Sequence, residues 1–476
     1  MFFLEHIRSS RGQVLPLLLV CILLLNGCGN KDSVDLPPEP EDGVLIYAAL
    51  NPLPKDLDVT IKRFNLNHED VKIEVRDYSD ENGMERLFTE LSLGRVPDIM
   101  EMHQFGGNAD DAWSTLPYKD RSNEAWMPYR QLVQKGYLED LWPYIENDPL
   151  LGLDGVLMPP LKAAEVNGGL YMIFPEVSIT TLMGPEHIVG DRQGWTLDEL
   201  RETYSTMPEH STILRYNATR RDMFTMLCAP LLEQYVEMET GENSFDSQDF
   251  RDMAEFLASF PEEVKTMASE DEVRAEHIDR ILGGRQMLDA TTVGSMWYLT
   301  YADLYFGAPA SFIGYPTADG SLGSFYNLHG DKLAMSSTCH NKEAAWDFMR
   351  RVLTKRYDQS ALNNMRGYGG QRKININLEN YDAAVDFDLT YEARWAGDQL
   401  SGPFSEPLFE VERPDKSDLE RFEALLNNTT HIYWPDNELS NIVWETLGPY
   451  FTKDKTLDEA IALIQNRVGL YVNEQK

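Results

Sequence analysis

The sequence predicts an α/β fold built on an open, mainly parallel sheet with helices on its faces, and three observations point there. Strand-like and helix-like hydrophobic periods alternate at the start of the body. Further helices announce themselves by capping sequences. A hydrophobic content of 42% with 11% aromatics is that of a globular chain. Residues 44–50 (VLIYAAL) form a continuous apolar run, as expected of a strand buried on both faces. Leu57, Ile61 and Phe64 follow at helical spacing, and Val71, Ile73 and Val75 then alternate as a strand. Met84, Leu87, Phe88 and Leu91 make a second helical stripe that Gly94 stops, and residues 96–100 (VPDIM) read as a third strand. Strand, helix, strand, helix, strand is the pattern of a parallel sheet with covered faces.

In such sheets ligands sit outside the carboxyl ends of the strands. Asn51, Asp77 and Tyr78 fall there and are candidate ligand contacts, beside a loop at 103–105 (HQF). Turn chemistry is the competing reading of all three, because Asn before Pro is a common turn signal. Later helices start at Thr196 and Thr456, each with Glu three residues on, so that hydroxyl and carboxylate satisfy free backbone N–H groups. The second of these carries Ala460, Ile464, Val468 and Tyr471 on one side. Residues 341–353 form another helix, with Ala345, Phe348, Met349 and Val352 as its apolar face.

The beginning of the chain reads as a targeting segment. Arg8 and Arg11 precede an apolar run over residues 14–25, too short for the ~20 residues of a spanning helix. Leu25-Asn26-Gly27-Cys28 resembles the bacterial lipobox, which predicts a signal peptide at 1–27 and a lipid on Cys28. The competing reading is a plain secretory signal cut near Gly27. Residues 28–43 then form a tether, acidic and proline-rich, that lifts the body off a bilayer. The predicted location is the outer face of the bacterial cytoplasmic membrane, on its extracellular or periplasmic side. Net charge is −36, or −37 without the leader, and such a surface disfavours nucleic acid. Once Cys21 leaves and Cys28 is lipidated, Cys228 and Cys339 remain, either as buried thiols packing like small hydrophobes or as a disulfide.

Several segments resemble the solute-binding proteins of sugar-type ABC importers, extracellular solute-binding protein family 1, in the order that family has them. They are residues 88–99 (FTELSLGRVPDI), 136–141 (GYLEDL) with 143–145 (PYI), 167–175 (NGGLYMIFP), 194–200 (GWTLDEL), and 332–337 (KLAMSS) with 341–346 (NKEAAW). The resemblance implies a two-lobed periplasmic-binding-protein-like fold of type II, each lobe a mainly parallel sheet flanked by helices, joined by crossover hinge segments. Lobe 1 would hold 44–172 with 332–390, and lobe 2 would hold 177–328 with 391–476. The sequence departs from the family's best-known members in its C-terminal third, where 432–436 (IYWPD) and 465–467 (QNR) fit a Gram-positive-like subgroup better.

The resemblance further implies a carbohydrate ligand, an oligosaccharide, and permease subunits as partners, with the protein a monomer. A sugar offers hydroxyl rims and apolar C–H faces, so a binder needs aromatic walls and bidentate hydrogen-bonding side chains. Trp297 and Tyr298 follow residues 283–288 (GGRQML) and 293–296 (VGSM), which resemble the strand-turn segment that places an aromatic against the sugar. Trp297 as a core residue is the alternative. Tyr326, Arg366, Tyr368, Trp434 and Asp436 are further candidates, and Glu176 and Ser178 lie next to the expected crossover as ligand contacts or hinge residues. No catalytic residue, cofactor or metal is expected: Gly-x-Ser-x-Gly, His-Glu-x-x-His, dinucleotide-binding and P-loop motifs are absent, and the nine His have no ligand-type spacing. Asp110, Asp111, Asp246 and Asp249 read as helix caps more readily than as calcium ligands. The rival functions are a surface glycosidase and a carbohydrate-sensing or adhesion lipoprotein.

Overall fold

The computed structural model describes residues 43–80, 82–102, 129–214, 218–238, 240–262, 276, 279–355, 373–390, 412–433 and 437–474. The leader, Cys28 and the tether up to residue 42, the 103–105 loop, Asp110, Asp111, Arg366, Tyr368, Trp434 and Asp436 lie outside the described residues.

The predicted strand-helix alternation builds the first sheet. β1 (Val44–Ala49) is buried over all but its first residue and pairs in parallel with β2 (Lys72–Asp77) on one side and β3 (Ile99–Glu101) on the other. β8 (Leu333–Met335) closes the far edge antiparallel to β3, giving the order β2-β1-β3-β8. Between the strands run the helices Lys55–Asn67 and Gly83–Ser92, which bury Leu57, Ile61 and Phe64, and Leu87 and Leu91. Phe88, placed in the predicted stripe, remains 39% exposed. Phe348, on the helix Lys342–Leu353, meets Tyr47 and Phe64 edge to face at 6.1 and 5.8 Å. Each fully buried aromatic of this kind is worth about 2–3 kcal/mol of transfer free energy.

The second sheet is organised on one strand. β4 (Glu176–Pro185) is buried over all but its first residue and pairs antiparallel with β5 (Asp289–Val293), β6 (Ala310–Phe312), β7 (Phe325–His329) and β9 (Ile374–Asn375). β10 (His431–Ile432) adds to β7 in parallel, completing the path β10-β7-β4-β5. The strand period of two separates its neighbours: Val177, Ile179 and Met183 join one hydrophobic cluster and Leu182 the other. The helices Leu197–Ser205, Gln248–Ala258, Asn437–Phe451 and Leu457–Glu474 contribute to the Leu182 cluster, and Trp297–Phe306 and Lys416–Asn428 to the opposite one. Both predicted capping boxes form. Thr196 and Glu199 exchange bonds at the first helix, and Thr456 and Glu459 at the last.

Three stretches of chain pass side by side between the sheets. Ile173 bridges to Leu333; Glu176 and Val177 pair with His329 and Leu328 on one side and with Asn375 and Ile374 on the other. Ile376 N–H donates to the Pro175 carbonyl at 2.8 Å. The first stretch is launched by a tight reversal at Asn167 and Gly168, both at positive φ, between the bridged Val166 and Gly169. Residues 136–141 of the sequence resemblance lie along β8, where Leu138 bridges Ser336 and Glu139 N–H donates to the Met335 carbonyl. Cys228 and Cys339 are both free and buried, one in each hydrophobic cluster. Among the described residues no helix is long and apolar enough to cross a membrane.

Candidate functional site

The carboxyl ends of β1 and β3 meet the crossing stretches, and polar side chains collect there. Glu101, the last residue of β3, accepts from the backbone N–H groups of Leu50 and Asn51 at 2.8 and 3.2 Å, and its other oxygen accepts from Asn51 Nδ2 at 3.0 Å. Asn51 is thus half-buried at the end of β1, as its strand-end position predicts, and it is fixed by a carboxylate the sequence reading did not single out. Asp331 and Lys332 enter this neighbourhood from the second crossing stretch. Burial and the charge of Glu101 hold the Asp331 carboxyl above its usual range, whereas burial lowers the Lys332 ammonium against the opposing pull of Glu101 and Asp331. The Tyr47 hydroxyl lies fully buried with no hydrogen-bond partner among the described residues, and burial, with Glu101 and Asp331, pushes its pKa far up.

On the second sheet, hydroxyl and amide groups form a ladder leading to the crossing. Ser178 Oγ and His329 Nε2 share a 2.7 Å hydrogen bond, Asn327 Nδ2 donates to Thr180 Oγ1 at 2.6 Å, and the Thr180 and Thr292 hydroxyls lie 3.3 Å apart. Burial, helped by Lys373 and Lys332, pushes the His329 imidazole down to about 3, so the ring is neutral at ordinary pH. Glu176 stands half-buried between His329 and Asn375 at the start of β4. Of this ladder the sequence reading named only Glu176 and Ser178. The signal for Thr180 and Thr292 is that each belongs to a Thr pair, 180–181 and 291–292, inside a strand.

The other candidates sit apart from this cluster. Asp77 is exposed at the end of β2, where its carboxylate accepts from Ser79 N–H at 2.8 Å; the Ser79 bonds, then Arg86, hold it below the ordinary range. Tyr78 turns inward, buried, and its hydroxyl donates to Glu90 at 2.9 Å; Glu90 also receives Arg76 at 3.1 Å. Trp297 is buried at the start of its helix and its Nε1 donates to Asp388 at 3.1 Å, while the adjacent Tyr298 is half-buried. Tyr326 is fully buried on β7 with its hydroxyl donating to the Leu426 carbonyl. Ser247 caps its helix through Phe250 N–H, and Asp249 accepts from Tyr235. Among the described residues no group of three or more His, Cys, Asp or Glu is placed to hold a metal ion.

No protein-family model matches the chain, and a search of curated proteins finds no match. Comparison with solved structures finds a likeness over most of the chain at low identity. An extracellular solute-binding protein family 1 member from Alicyclobacillus acidocaldarius is 12% identical, with 90% of this chain and 98% of that one covered and a TM-score of 0.47. The sugar-binding protein MalE from Xanthomonas citri is 12% identical over 90% and 97%, with a TM-score of 0.49. A cyclic alpha-maltosyl-1,6-maltose binding protein from Arthrobacter globiformis is 13% identical over 90% and 98%, with a TM-score of 0.43.

Proposed function

We propose that this chain is the substrate-binding component of an ABC importer, a lipoprotein anchored through Cys28 that captures a carbohydrate between two lobes and delivers it to membrane permease subunits without chemical change. The observation that carries the reading is the trio of adjacent crossing stretches at 173–177, 328–333 and 374–377, which join two separately organised sheets. Such a junction bends with small backbone changes, and a ligand contacting both lobes stabilises the closed form because only that form makes both sets of contacts. The segments that resemble the importer family support it further: 167–175 leads into the first crossing, and 332–337 leaves the second. Lobe 1 is then 44–172 with 332–390, and lobe 2 is 177–328 with 391–476. Asn51, Glu176 and Tyr298 are the described candidates with partly exposed side chains near the junction or its flanking helix, and polar groups of this kind suit sugar hydroxyls.

A thermal-shift screen over mono- and oligosaccharides tests the reading. A ligand at 100 times its Kd adds ~2.7 kcal/mol of stability, which raises the melting temperature measurably. A panel in which no carbohydrate moves the transition speaks against a sugar ligand, and turnover of a chromogenic glycoside speaks for a surface glycosidase instead.

A further inference from the structure

The two halves also touch through a contact far from the crossing stretches in sequence. Arg130 lies on the helix Tyr129–Gln134, which leads directly into the stretch beside the first sheet, where the Tyr137 hydroxyl donates to the Leu91 carbonyl at 3.4 Å and Leu138 bridges Ser336. Glu233 lies on the single turn-rich segment Ala229–Tyr235, whose Leu231, Leu232 and Tyr235 are buried in the second sheet's own cluster. Arg130 donates from a guanidinium nitrogen to Glu233 at 2.7 Å, with the two side chains 31% and 30% exposed. The residues that flank each charge are held by their own half: Tyr137 N–H donates to the Leu132 carbonyl, and Gln234 accepts from Ala318 N–H at 3.3 Å. Neither backbone can follow the other if the halves separate. The pair is therefore made or broken as a unit with the relative position of the two halves.

We infer that Arg130 and Glu233 form an electrostatic latch that favours, before any ligand arrives, the arrangement of the two lobes in which they touch. The inference rests on the hinged reading above. A charge-assisted bond at this distance has strong geometry, but a third of each group faces water, so salt weakens it within the ~8 Å screening length of physiological solutions. Its expected effect is a bias of the open–closed ratio of about 1.4- to five-fold, the range of partly exposed ion pairs. Because a closed-state ligand binds only the closed fraction, its apparent Kd changes by a similar factor when the latch is removed, with the ligand contacts themselves untouched.

Single-molecule energy transfer between dyes on unnatural amino acids replacing Leu93 and Leu470, both exposed and one in each half, reads the ratio directly in the full chain without added ligand. Arg130→Ala and Glu233→Ala are each expected to shift the population away from the latched form by about 1.4- to five-fold. High salt should shift the wild type in the same direction and leave both variants unmoved, and the exchange Arg130→Glu with Glu233→Arg should restore the wild-type ratio. Two populations that ignore all three variants and salt would overturn the latch and leave the hinge standing. One fixed distance in every variant and salt would overturn the hinged reading and the latch with it.

Discussion

Asp98 shows how much structure one buried carboxylate can hold. It precedes β3 in the VPDI segment, and its two oxygens divide their work: one accepts from Ile46 N–H on β1 at 2.8 Å, the other from His340 N–H at 3.0 Å and the His340 ring at 3.2 Å. Its own carbonyl accepts from Ser336 N–H. β1, β3 and the return from β8 are therefore pinned at one side chain. Asp98→Ala orphans the buried Ile46 N–H and removes the acceptor of the part-buried His340 N–H, and we expect a loss of about 2–4 kcal/mol by urea unfolding. His329 gives a pH dependence whose sign follows from its burial. Its folded pKa of about 3 lies below the ordinary 6.5, so the unfolded chain binds the extra proton in that window. The contribution is fully present above about pH 6.5 and is lost as the pH falls toward 3. His329→Gln, which keeps a partner for Ser178, is expected to lose less stability than wild type between pH 6.5 and 4 in parallel urea titrations; profiles of equal slope would contradict the assignment.

Elements defined by local chemistry were legible in the sequence, and those defined by distant pairing were not. The 44–50 run, the stripe of Leu57, Ile61 and Phe64, the Thr196 and Thr456 capping boxes and the face of Ala345, Phe348, Met349 and Val352 depend on residues a few positions apart, and each forms. The two-residue strands β9 and β10 carry no period of their own and exist only because β4 and β7 offer edges. The candidate site divides in the same way: Asn51 could be placed at a strand end, but its partner Glu101 lies fifty positions on. Tyr78 shares that strand-end position yet turns toward Glu90, a choice made by the neighbouring helix. Thr196→Ala should cost about 1 kcal/mol of unfolding free energy by removing one cap. At the crossing, Gly330 has φ +73 and an added Cβ would lie 2.4 Å from Pro175 Cγ. Gly330→Ala should therefore destabilise by about 1–3 kcal/mol and displace the second crossing stretch from the first, visible as faster amide exchange at Ile376, which donates to Pro175.

At the scale of the whole molecule, two sheets with separate helices are joined by three neighbouring stretches of chain, and the ionic contact from Arg130 to Glu233 spans the same two halves. One buried cluster runs from the first sheet onto one face of β4 and the other covers the opposite face, and the proposed hinge places the bending at the crossing stretches. The polar groups at the strand ends and along β4 lie beside that junction, and under the proposed function they are the hydrogen-bonding groups a guest held by both halves would meet. The acidic surface, at −36 overall, disfavours polyanionic guests through its mean field. The most direct test is small-angle X-ray scattering of the protein alone and with the oligosaccharide that most raises its melting temperature. The account predicts a smaller radius of gyration in the liganded sample, and an unchanged scattering curve at saturating ligand would contradict it.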